Sequence, residues 1–126
     1  MGRRHGTLWP VDHDVIRRAP LFAGLDQEAT EQLISQMSTT HMERGDILFH
    51  EGDPGDRLFV IGEGKVKLGR TSPDGRENLL AILGPGEMFG ELSLFDPGPR
   101  TATATAVAET QVVAFSSDQL REYLQT

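Results

Sequence analysis

Six short clusters of glycine, proline and acidic residues punctuate the middle of this chain, and they limit what it can fold into. They are Arg44-Gly45-Asp46, Gly52-Asp53-Pro54-Gly55, Gly62-Glu63-Gly64, Pro73-Asp74-Gly75, Gly84-Pro85-Gly86 and Asp96-Pro97-Gly98. Each is a turn signal, and they recur about every eight to eleven residues, the rhythm of strand plus turn. The pieces between them alternate or run apolar: Ile47-Leu48-Phe49, Leu58-Phe59-Val60-Ile61, Val66 with Leu68, and Leu79 to Leu83. Two further strands are predicted over 101–107 and 111–115. The first alternates Thr with Ala, which suits one polar face and one face pressed against close neighbours. Short antiparallel strands at this spacing close into a sandwich, jelly roll or barrel.

Helical signals sit only at the ends. Val11 to Arg18 reads as a short helix stopped by Pro20. Asp26 is a helix N-cap, with Glu28 in the first turn where the dipole favours an acid. Ala29, Leu33, Ile34 and Met37 then share one face. Ser116 or Ser117 caps a last helix. Gln119 stands in capping-box spacing to Ser116, and Leu120, Tyr123 and Leu124 form the apolar stripe. The expected organisation is an N-terminal extension over 1–20, partly helical or disordered, followed by one β domain over 21–126.

A length of 126 residues fits a single domain with a real core. A net charge of −7 makes the domain a poor nucleic-acid binder by itself. There is no cysteine, which removes disulfides, thiolate catalysis and Cys-ligated iron–sulfur clusters. No apolar run approaches the ~20 residues that span a bilayer. The start, GRRHGTLWP, lacks the apolar stretch of a signal peptide, and Gly6 stands where myristoylation needs Ser or Thr.

The chemistry concentrates in FGELSLFDPGPRTATA, Phe89 to Ala104. A carboxylate, Glu91, follows a glycine. Nine residues later a guanidinium, Arg100, stands beside a hydroxyl, Thr101. A carboxylate accepts hydrogen bonds from a sugar hydroxyl, a guanidinium fork clamps phosphate oxygens, and a small residue lets backbone N–H groups approach an anion. A lone Glu or Arg in a turn is otherwise a solvated surface residue, and Thr101 would serve equally as a plain strand former.

This stretch resembles the phosphate-binding cassette of cyclic-nucleotide-binding domains. The likeness is greatest to bacterial transcription factors of the cyclic-AMP receptor protein (CRP/FNR) family, actinobacterial type. It extends through EGDPGDRLFVIGEGKVKLGRTSPDGRENLLAILGPGEMFGEL, residues 51–92, and covers roughly Leu21 to the C-terminus. The resemblance implies a mainly β fold, an antiparallel β-roll or jelly roll with flanking N- and C-terminal helices. It implies a ligand site of Gly90, Glu91, Leu92, Ser93, Arg100 and Thr101. There Glu91 takes the ribose 2′-hydroxyl and Arg100 the cyclic phosphate, while Thr101 adds a hydroxyl or N–H. Many family members carry Ser at that position. Gly90 with Leu92 and Ser93 would open a short helical turn facing the anion. Leu92, Leu94 and Phe95 read first as core, Met88 and Phe89 as strand-end packing, and Leu79, Leu80 and Ile82 as a wall for ribose and base. No catalytic residue, metal or cofactor is implied beyond the ligand, cyclic AMP or another cyclic purine nucleotide. The family continues past this point into a long dimerising helix and a helix-turn-helix domain. The implied role is therefore an allosteric, cytoplasmic sensor domain, homodimeric in the full-length protein, reaching DNA only through that further domain and touching no membrane.

Three rival readings stand beside it. The same fold can house a cluster or haem, but there is no Cys and no His follows residue 50. A cupin-like metal enzyme wants clustered histidines. His5, His13, His41 and His50 form no His-x-His or His-x-x-x-His pair. A degenerate β-roll that binds no nucleotide and only mediates interactions would keep the fold without the ligand. Arg44-Gly45-Asp46 also spells an adhesion tripeptide, but it reads as a turn.

Overall fold

The computed structural model describes residues 13–90, 98–116 and 118–120. Among these residues, helix α1 (His13–Arg17), a 3₁₀ helix (Pro20–Gly24) and α2 (Gln27–Gln36) precede ten strands. These are β1 (Ser38–Met42), β2 (Ile47–Phe49), β3 (Pro54–Gly55), β4 (Arg57–Glu63), β5 (Val66–Thr71), β6 (Glu77–Leu83), β7 (Met88–Phe89), β8 (Gly98–Pro99), β9 (Thr103–Ala106) and β10 (Thr110–Ser116). One four-stranded sheet has the order β1-β10-β4-β7, a second β2-β9-β5-β6, and β3 pairs with β8. Every pairing is antiparallel. This is the mainly β, antiparallel architecture expected from the turn rhythm, in the roll that the resemblance implies.

Strands β4 and β10 are buried on both faces, which explains their unbroken apolar runs. Leu58, Val60, Val113 and Phe115 face the helices and pack with Ile16, Ala19, Phe22, Leu33, Ile34 and Leu120. Phe59, Ile61, Val112 and Ala114 point the other way and meet Met42, Val66, Phe89, Ala104 and Ala106. In β9 the alanines of the Thr-Ala alternation are the buried residues. The small side chains bring the two sheets close. Ile16 and Ala19 belong to the helix-side cluster, so residues ahead of 21 contribute to the core.

The caps are where the sequence puts them. The Asp26 carboxylate accepts from the Ala29 N–H at 2.8 Å. Ser116 Oγ accepts from the Gln119 N–H at 3.1 Å, while Gln119 Oε1 accepts from the Ser116 N–H at 3.2 Å. This reciprocal pair opens a final helix at 118–120. Tyr123 and Leu124 lie outside the described residues. Pro20 does more than end α1: it sits in the first turn of the 3₁₀ helix, where its fixed φ is favourable.

Two local expectations differ from what is seen. Strand β9 begins at Thr103, not at 101, because residues just before it are tied elsewhere. The Gly52 N–H donates to Arg100 O, and the Arg100 N–H donates to Asp53 O, both at 2.7 Å. The Gly52–Gly55 cluster also does more than turn: Pro54 pairs with Pro99 and Gly55 with Gly98. No helix among the described residues is long and apolar enough to cross a membrane.

Candidate functional site

Arg100 is the centre of the site. Its backbone is clamped to the 52–53 turn by the two bonds just given, and its side chain runs inward. The residue is only 9 % exposed. Nη2 donates to the Arg57 carbonyl at 2.9 Å, and Nη1 makes a long 3.5 Å contact to the Gly90 carbonyl. Cζ lies 4.4 Å from the Phe49 ring centroid and 5.5 Å from that of Phe59. Nε is buried and has no hydrogen-bond partner among the described residues.

Two glycines make this path possible. A β carbon at Gly55 would stand 2.3 Å from Arg100 Nε. At Gly90 it would meet Nη1 at 2.6 Å and the Arg57 carbonyl at 3.0 Å. Gly90 also has φ +84°, which L residues avoid. Four pieces of chain thus converge on the Arg100 guanidinium: the end of β2 at Phe49, β3 at Gly55, the start of β4 at Arg57, and Gly90 just after β7.

Electrostatically the site centres on a buried cation. Burial pulls the Arg100 pKa below the ordinary arginine value. The charge of Asp56 acts in the opposite sense, and that of Arg57 reinforces the depression. Arginine nonetheless stays protonated at neutral pH. No carboxylate among the described residues forms an ion pair with it. A buried charge without a counter-charge is costly, and an arriving anion relieves that cost.

Of the six residues named from the sequence, the fold brings Gly90 and Arg100 into contact. Thr101 follows Arg100 just ahead of β9 and is exposed. Glu91, Leu92 and Ser93 lie outside the described residues, as do Leu94 and Phe95. Leu79, Leu80 and Ile82, expected to wall a sugar and base, are 57 %, 54 % and 54 % exposed on β6, at the edge of the second sheet. Met88 and Phe89 form β7, and Phe89 is in the core. Sequence reasoning missed Gly55, Phe49, Phe59 and the Arg57 carbonyl. The only signal was the second glycine of Gly52-Asp53-Pro54-Gly55, which a turn alone does not need. A separate groove of about 560 Å³ is lined by residues including Val15, Arg18, Pro85 and Met88, and shares none of the residues around Arg100. Among the described residues no group of three or more His, Cys, Asp or Glu is placed to hold a metal.

The fold is thus an antiparallel β-roll in which two glycines seat a buried guanidinium. Comparison with known proteins makes this specific: residues 39–126 match the cyclic nucleotide-binding domain model, and the chain belongs to that family. It is 50 % identical over 111 residues to a CRP-like cAMP-activated global transcriptional regulator of Mycobacterium tuberculosis, covering 88 % of this chain and 50 % of the regulator. The chain therefore spans about half the length of that curated relative. Among solved structures, the N-terminal domain of a transcriptional regulator from Streptomyces coelicolor is 62 % identical, with TM-score 0.80, covering 88 % of this chain and 78 % of that one. The regulatory domain of Toxoplasma gondii PKA, crystallised with cAMP, is 30 % identical with TM-score 0.81, covering 87 % of this chain and 42 % of that one.

Proposed function

We propose that this domain binds a cyclic purine nucleotide, cyclic AMP foremost, and performs no chemistry on it. The observation that carries the reading is the buried Arg100 guanidinium, whose Nε–H has no hydrogen-bond partner among the described residues. A cyclic phosphodiester carries one negative charge over two exocyclic oxygens, which a guanidinium fork matches. In this reading Arg100 holds the phosphate. Thr101 and the backbone around Gly90, Leu92 and Ser93 complete its shell, and Glu91 accepts from the ribose 2′-hydroxyl. Adenine is favoured over guanine by the relatives' ligand rather than by a residue of this chain.

The same reading extends to regulation. The helix that opens after β10 has Leu120 in the core, beside the capping pair of Ser116 and Gln119. A ligand that alters the cassette can bias this helix, and through it a DNA-reading domain in a longer, dimeric, cytoplasmic regulator. That is a population shift, limited by the ligand's differential affinity for the two states.

The test is a thermal-shift panel of cyclic AMP, cyclic GMP, AMP and a cyclic dinucleotide. A ligand at 100 times its dissociation constant adds ~2.7 kcal/mol of stability. A clear shift with the cyclic mononucleotides alone is expected; no shift with any of the four would sink the reading in favour of a roll that only mediates interactions. A 2′-deoxy cyclic nucleotide should bind less tightly than its parent, and equal affinities would remove Glu91 from the site.

A further inference from the structure

We propose that Phe49 is a positioning residue for the anion clamp: its ring, in place of a carboxylate, holds the Arg100 guanidinium and leaves the charge available to a phosphate. The proposal rests on reading this site as a cyclic-nucleotide pocket. Nothing in the spacing of the cassette points to Phe49, which lies 51 residues before Arg100 on another strand.

The geometry is that of a cation held over an aromatic face. The 4.4 Å separation of Cζ from the Phe49 centroid is well inside the ~6 Å range of the interaction. Phe59 is farther from Arg100, and its ring also carries the Arg57 guanidinium at 5.8 Å. Nor is Phe49 a loose ring. Its centroid is 5.7 Å from Phe59 and 6.0 Å from Phe89, which stack on each other at 5.3 Å. Phe59 and Phe89 are cross-strand partners in the first sheet, and Phe49 comes from the second. Arg100 therefore rests on a platform tied to both sheets.

The chemistry explains why a ring suits this place. A carboxylate here would form a bidentate pair, neutralise the guanidinium and compete with the incoming phosphate for its N–H groups. A ring face attracts the cation through its quadrupole and accepts none of those donors. Among the described residues, Nε keeps its proton uncommitted. The aromatic support thus fixes the clamp in the absence of ligand without satisfying it.

The experiment compares wild type with Phe49→Leu, Phe49→Met and Phe49→Tyr. Cyclic AMP affinity is measured by calorimetry, ligand-free stability by melting, and the Arg100 Nε–H resonance by ¹H–¹⁵N NMR, assigned by its loss in Arg100→Lys. Removing the ring should weaken binding about ten-fold, and Tyr should stay within about two-fold of wild type. The ring-current displacement of the Nε–H line should persist in Tyr and shrink in Leu and Met to the part due to Phe59, a change that lost packing alone would not produce. Wild-type affinity in a folded Leu or Met variant would overturn the proposal, as would an Nε–H line that does not move when the ring is removed. Should Leu fail to fold, Met decides, since it fills the space without a ring. If wild type itself binds no cyclic AMP, the pocket reading falls, and the Nε–H line alone then decides whether Phe49 holds Arg100.

Discussion

The Arg100 side chain lies where a side chain at position 55 would have to stand: a β carbon on Gly55 would lie 2.3 Å from Nε, 2.6 Å from Cζ and 2.8 Å from Cδ of the arginine. Gly55 does not have positive φ, so a side chain there meets no backbone penalty. Gly55→Ala should therefore act on the guanidinium alone. The side chain must swing away, and anion binding should weaken by at least about ten-fold as the fork leaves its seat. Gly90→Ala is the contrasting case, because φ +84° and the Arg57 carbonyl at 3.0 Å are both fixed backbone features. It should lose fold stability as well, by about 1–2 kcal/mol. Paired melts and calorimetry on the two variants separate the effects; equal losses of stability would contradict the distinction.

Arg100 is a residue that the ligand-free fold keeps at a cost. A buried charge without an ion-pair partner is costly to the fold, and an apolar side chain of similar volume removes that cost. The bond to the Arg57 carbonyl, lost at the same time, has a charged donor and is worth about 1.5–3 kcal/mol. The two offset each other, so Arg100→Met should melt close to the wild-type temperature without ligand. Its affinity for a cyclic nucleotide should fall by ~2–5 kcal/mol, as when one partner of a buried charge pair is removed. A variant that unfolds, or one that binds like wild type, contradicts the assignment of Arg100 as the phosphate group's partner.

The elements were legible in the sequence because their signals are local. Asp26, Ser116 and Gln119 announce their helix starts by side-chain chemistry within three residues. The turn clusters set the strand rhythm in the same way. The site was legible only as a list of functional groups. That Arg100 threads beneath Gly55 and over Phe49 depends on pairing β3 with β8 and on docking two sheets, and residues some 50 positions apart carry no periodicity that records it. Apolar runs were equally ambiguous: 58–61 and 79–83 look alike in the chain, yet the first lies between two layers and the second on an edge strand.

That difference is measurable. Leu58 is fully buried in the helix-side cluster, so Leu58→Ala should cost about 2–5 kcal/mol through lost transfer energy and a residual cavity. Leu80 is more than half exposed, and Leu80→Thr keeps a strand-forming residue on that edge. Its effect on unfolding should stay within about 0.5 kcal/mol. Chemical denaturation of both variants checks the pair; a large loss at Leu80 would mean that β6 is covered in solution.

The helical layer has one charge contact whose sign with pH can be worked through. Arg17 on α1 donates from Nε to a Glu31 carboxylate oxygen on α2 at 2.7 Å and from Nη2 to the other at 3.0 Å. The hydrogen bonding by Arg17 holds the Glu31 pKa below the ordinary carboxylate value. A carboxyl more acidic when folded releases its proton on folding, so its contribution to stability is present above the unfolded value. That contribution is lost as pH falls through the lower, folded one. Both groups are solvent-exposed, so the effect on global stability should be small. The direct measurement is the Glu31 side-chain carboxyl titration by ¹³C NMR: its midpoint should lie below that of a free glutamate and rise in Arg17→Ala. A midpoint unmoved by that substitution would mean that α1 and α2 are not held together by this pair in solution.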